Sequence, residues 1–133
     1  MKMKASVREA MDILHIETLR KHQAQPIHDI LNKKNSLILY PTSSGKSAIF
    51  QIPALVHSSR LTLVIEPTIS LMFDQVHKLK KLGVSAEYLS FYNSDKHDSI
   101  LQKMRNKELT LLYISPERLA NGFFREALQH SDL

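Results

Sequence analysis

The sequence predicts an α/β fold, a parallel sheet flanked by helices. Two observations carry that expectation. Four short apolar runs of strand length alternate with segments whose apolar residues recur at helical spacing. Three of those runs are closed by a proline, Pro41 directly and Pro67 and Pro116 one residue further on, a residue that cannot donate to a sheet ladder and so ends a central strand. Regular strand–helix alternation argues for right-handed βαβ units.

Taken in order, Val7, Ala10, Met11 and Leu14 mark a first helix, and Ile27, Ile30 and Leu31 a second before the polar stretch from Asn32 to Asn35. Ser36 to Tyr40 reads as a first buried strand. Gly45 to His57 has helical composition, with a kink or restart expected at Pro53, which lacks an amide donor. Leu61 to Ile65 is a second strand. Ile69, Met72, Val76 and Leu79 then line one helix face, and Gly83 stands where a left-handed residue would close that helix. Val84 to Leu89 reads as a third strand, Ser99 to Arg105 as a helix, and Thr110 to Ile114 as a fourth strand. No internal repeat, low-complexity tract or linker interrupts the series.

The 133 residues, 43% of them hydrophobic, suffice for one domain core. Eighteen Lys and Arg against thirteen Asp and Glu give a formal charge of +5, which favours an anionic partner or simply solubility. With no cysteine, disulfides, thiolate metal sites and cysteine nucleophiles are excluded. No segment reaches the roughly 18 apolar residues of a membrane span, and a soluble, cytoplasmic protein without membrane association is expected. The seven histidines never form a metal-ligand pair at helical spacing. Lys78, Lys80 and Lys81, and Lys103, Arg105 and Lys107, read as solvated helix faces ahead of a DNA-facing stripe, and Phe91-Tyr92 as a core pair at a strand end ahead of a base-stacking pair.

Pro41-Thr42-Ser43-Ser44-Gly45-Lys46-Ser47 falls where the first predicted strand gives way to a helix, which is the context of a phosphate-binding loop. There, backbone N–H groups and the positive end of the helix dipole face the phosphates together. Lys46 would reach the β- and γ-phosphates as the catalytic lysine, and the Ser47 hydroxyl would ligate Mg²⁺. A serine-rich turn capping an ordinary helix is the plainer reading of Gly-Lys-Ser alone; strand before and helix after favour phosphate. Tyr40 stands where the stricter motif has glycine.

Three further segments resemble, in order, motifs of superfamily 2 helicases and more narrowly of the RecQ family. Leu19-Arg20-Lys21-His22-Gln23 is similar to the adenine-reading segment, Glu66 to Val76 to motif Ia with its Pro, Ile-Ser-Leu-Met and Asp-Gln-Val, and Tyr113 to Leu119 to motif Ib around Ser-Pro-Glu-Arg. DEAD-box RNA helicases would show Pro-Thr-Arg-Glu-Leu in motif Ia instead. The resemblance implies an incomplete P-loop NTPase, RecA-like lobe over residues 19–133 after an N-terminal helical segment at 1–18. It implies ATP and Mg²⁺ as cofactors, held by Arg20, Gln23, Thr42, Ser43, Ser44, Gly45, Lys46 and Ser47. It also implies DNA backbone contacts from Thr68, Ser70, Ser115 and Arg118, and a second RecA-like lobe as partner. Three departures stand out: Ile16 replaces an adenine-stacking ring, Lys21-His22 replaces Pro-Gly, and Glu66 puts a carboxylate beside the expected DNA path.

The family's Asp-Glu-Ala-His segment does not occur before Leu133. The expectation is therefore weak nucleotide binding without efficient hydrolysis or unwinding by these 133 residues, an open sheet edge, and 3′-to-5′ DNA unwinding by a complete helicase. Two other readings stay open. One is a nonenzymatic lobe that binds DNA or protein; the other is a small P-loop kinase, for which Asp74 and Glu117 are the available acids.

Overall fold

The computed structural model describes residues 6–41 and 45–133. The chain divides into two compact units, Met1–Ser58 and Ser59–Leu133.

The first unit is helical. Helices α1 (Val7–Ile13) and α2 (Lys21–Leu31) both pack on α3 (Lys46–Val56). Ala10 and Met11 from α1, Ile27 from α2, and Ile49, Ile52 and Leu55 from α3 are buried. Helix α3 runs through Pro53 without restarting. Proline removes one amide donor, but residues 52–56 are all buried, and that apolar burial offsets one missing bond.

The predicted strand at Ser36 to Tyr40 does not form. Residues 34–41 carry no regular secondary structure, with Leu37 87% and Leu39 81% exposed. Alternating apolar residues favour extension, but a strand needs a neighbour for its N–H and C=O groups, and no described strand pairs with this segment. Tyr40 anchors it instead: its hydroxyl donates to the His22 carbonyl at 3.0 Å, and its ring meets the imidazole edge-on, centroids 4.9 Å apart.

The second unit is a three-stranded parallel sheet in the order β1 (Thr62–Ile65), β3 (Leu111–Ile114), β2 (Ala86–Leu89). Thr62 and Ala86 both register with Leu111, and Ile65 and Leu89 with Ile114. Every residue of β3 is buried, as expected of a parallel strand covered on both faces. On one face Leu112 and Ile114 join Ile100 and Met104 of α5 (His97–Arg105) and Phe124 and Ala127 of α6 (Gly122–Gln129). On the other lies α4 (Ile69–Lys81), whose Gln75 Oε1 accepts from the Tyr113 hydroxyl at 2.8 Å. At the open edge of β2, buried Glu87 receives Lys80 from α4 at 2.9 Å and Lys103 from α5 at 3.3 Å. Those two lysines are thus tied to the fold rather than purely solvated. Charge at a sheet edge also discourages strand addition there.

The helix ends explain how the chain manages with three glycines. After α4, Gly83 takes φ +81°; its N–H bonds Lys80 O and the Val84 N–H bonds Leu79 O, both at 3.0 Å, a Schellman closure. The same paired bonds close α1, α2 and α5, yet the left-handed residue is His15, Lys33 or Lys107. A side chain in that region costs about 1 kcal/mol or more per residue. Lys107→Gly is therefore expected to raise stability by about 0.5–1 kcal/mol, read as a higher urea midpoint at unchanged slope; a lower midpoint would show the φ of +59° to be unstrained.

Candidate functional site

In the first unit, Arg20 is the N-cap of α2 in extended conformation, and Gln23 follows in the first turn. Gln23 is 5% exposed, so it is no solvated helix residue. Its amide is used at both ends: Oε1 accepts from the Arg20 N–H at 2.8 Å, and Nε2 donates to the Gly45 carbonyl at 2.9 Å. The predicted base-reading segment and the predicted phosphate loop are thereby joined through one side chain.

Gly45 is the N-cap of α3 with φ +80° and ψ 28°. Two constraints select glycine here: the left-handed backbone, and a Cβ that would collide with the Gln23 amide. Lys46 and Ser47 occupy the first turn of α3, where N–H groups have no acceptor inside the helix. Lys46 is exposed. Thr42, Ser43 and Ser44 lie outside the described residues. A phosphate with Mg²⁺ fits what is present: first-turn amides, a lysine, a hydroxyl, and a left-handed backbone position that favours glycine.

In the second unit, the two candidate DNA segments leave β1 and β3 at the same edge. Thr68 is the N-cap of α4, but its hydroxyl makes no capping bond, and Ser70 sits exposed in the first turn. The Thr68 N–H instead donates to Glu66 Oε1 at 2.9 Å. After β3, Ser115 precedes a 3₁₀ turn, Pro116–Ala120, and caps no amide with its side chain. Arg118 enters none of the four ion pairs found among the described residues. A hollow of about 440 Å³ brings Pro67, Ser115 and Arg118 together with Phe91. A second, about 500 Å³, is lined by Ser70, Phe73, Asp74, Tyr88 and Tyr92. Ile69 borders both. Asp74 and Glu117 line different hollows.

Phe91 and Tyr92 overturn the expectation of a core pair, being 84% and 77% exposed. Strand β2 ends at Leu89, so neither ring is in the sheet. The signal was present in the sequence as Ser90 followed three residues later by Asn93, a capping pattern that stops the strand.

Residues 20–133 match the DEAD/DEAH box helicase family. The chain belongs to that family. Within it the relatives are of RecQ type. An "ATP-dependent DNA helicase RecQ" of Pasteurella multocida is 40% identical over 126 residues, covering 91% of this chain and 20% of that protein. The RecQ protein of Haemophilus influenzae is 38% identical, covering 86% of this chain and 19% of its own length. The "ATP-dependent DNA helicase Q1" of Rattus norvegicus is 38% identical, covering 84% and 18%. The chain thus spans about a fifth of the relatives it matches. The parallel sheet and its helices are part of the RecA-like lobe of a DEAD/DEAH helicase, and among the described residues no helix is long and apolar enough to cross a membrane.

In this helicase-family chain, Gly45→Ala should destabilise by about 1–3 kcal/mol, the cost of strained backbone plus the collision with Gln23. Denaturant unfolding of Gly45→Ala, Gln23→Ala and the double variant checks the contact. The loss should be smaller in the Gln23→Ala background; simple additivity would show that the two do not interact.

Proposed function

We propose that this chain supplies nucleotide-binding and DNA-binding parts of a RecQ-like motor, one that couples ATP hydrolysis to 3′-to-5′ DNA unwinding in the whole protein. Residues 19–133 form part of its ATP-binding domain, behind a helical segment at 1–18. The amides of the loop through Thr42, Ser43, Ser44 and Gly45 hold phosphate, Lys46 neutralises its charge, and Ser47 offers an oxygen to Mg²⁺. Arg20 and Gln23 serve the base. ATP with Mg²⁺ supplies the phosphoryl group whose transfer drives the motor. Thr68, Ser70, Ser115 and Arg118 hold DNA phosphates without reading sequence.

The observation that supports this best is the shared hollow: Pro67, at the end of β1, and Ser115 and Arg118, beyond β3, open onto one cavity. These belong to the two segments that resemble motifs Ia and Ib. Such convergence beyond the carboxyl ends of parallel strands is where open α/β sheets bind ligands.

Two measurements test the reading. With a fluorescent ATP analogue and Mg²⁺, Lys46→Ala should weaken binding by about 10-fold or more, the size of one charge-assisted hydrogen bond; unchanged affinity would remove Lys46 from the phosphate site. With labelled single-stranded DNA, Glu66→Gln should tighten binding about two- to five-fold, the effect of one unit charge at contact distance in water. Unchanged or weaker binding would show that the Glu66 carboxylate does not repel the DNA.

A further inference from the structure

Two aromatic rings stand in solvent on a turn that is itself held rigidly. Ser90 and Asn93 are buried beneath it. Ser90 Oγ accepts from the Tyr92 N–H at 3.1 Å, Asn93 Oδ1 accepts from the Ser90 N–H at 2.9 Å, and Asn93 Nδ2 donates to the Tyr88 carbonyl at 2.7 Å. His97 Nε2 lies 2.7 Å from the Ser90 carbonyl and 3.1 Å from Asn93 Oδ1, two acceptors, so that nitrogen carries the hydrogen. Buried polar groups satisfied in this way fix one geometry. Here they fix Phe91 and Tyr92 outward, rings nearly perpendicular at 84° with centroids 6.1 Å apart.

The pair straddles the two hollows. Phe91 borders the one that holds Ser115 and Arg118, and Tyr92 borders the one that holds Ser70, Phe73 and Asp74. The chemistry of the two differs. Each holds a carboxylate, Glu117 in the first and Asp74 in the second, but the first adds the Ser115 hydroxyl and the Arg118 guanidinium, which suit a phosphate, whereas three of the six residues lining the second are aromatic and suit an uncharged ring. Aromatic platforms beside a cationic backbone track are how single strands are held without sequence readout.

We propose that Phe91 and Tyr92 form a stacking platform for the bases of single-stranded DNA whose phosphates pass Ser115 and Arg118. The occupant is a nucleic-acid strand rather than a protein or a second copy of this chain, because the platform adjoins Arg118, which joins no ion pair among the described residues, and the hydroxyls of Ser115 and Ser70, on a chain of net charge +5. This rests on the DNA reading of Ser115 and Arg118 above.

The test uses the 133-residue chain with two fluorescein-labelled oligomers of equal length, oligo-dT and an abasic strand with the same phosphates and no bases. Phe91→Ala/Tyr92→Ala is expected to weaken oligo-dT binding about 10-fold, since base–aromatic stacking is worth about 1–3 kcal/mol per base, while leaving the abasic strand unchanged. Arg118→Ala should weaken both strands alike. Tyr92→Trp should keep oligo-dT affinity, and because the natural sequence has no tryptophan, its single indole should be quenched by oligo-dT and not by the abasic strand. Equal loss on both strands, or no loss, in the double alanine variant overturns the platform even where Arg118→Ala behaves as expected, and the phosphate reading then stands alone. Failure of the unmodified chain to bind either strand overturns both. Altered self-association of the double variant at constant DNA affinity overturns the platform in favour of a contact between copies. Both rings are exposed, so a matching melting temperature is expected of all variants.

Discussion

Parallel pairing is the constraint on which the second unit depends. Because β1, β3 and β2 run the same way, their carboxyl ends emerge at one edge, and whatever follows each strand must turn there. Glu66 to Ser70, Ser90 to Asn93 and Ser115 to Arg118 are far apart in sequence, yet each is the first segment after a strand. Strand β3 enforces the arrangement: it is paired on both sides and buried on both faces. A polar substitution at Leu112 or Ile114 would leave an unsatisfied group in the core and disturb every turn that depends on this register.

The sequence made much of this legible. Three of the four apolar runs are strands, because each has neighbours to pair with and helices to cover it, and the run after Asn35 is not, because local pattern carries no information about partners. Gly83 announced the end of α4, whereas His15, Lys33 and Lys107 gave no warning of left-handed geometry; the Schellman bonds and the following residues hold them there at a local cost. Pro53 misled because the backbone rule is local while the burial that overrides it is tertiary.

The candidate site was legible by residue type more than by arrangement. Glycine at 45 followed from the chemistry of a phosphate loop, but its contact with the Gln23 amide depends on how α2 packs on α3. Tyr40, where the stricter loop motif has glycine, and His22, within the pair that replaces Pro-Gly, touch each other through a hydrogen bond and an edge-on ring contact, a pairing invisible in either motif alone. Phe91 and Tyr92 were misjudged because aromatic residues next to a strand are commonly core, and only the buried bonding of Ser90 and Asn93 turns them outward.

Gln23 carries a consequence of its own. Its amide carries two N–H donors and two acceptor lone pairs, and the bonds to the Gly45 carbonyl and the Arg20 N–H take one of each. One buried side chain thus ties the first turn of α2 to the residue where α3 begins. Whatever swings that amide away loosens both helix starts together, so neither end can change its geometry without the other registering it.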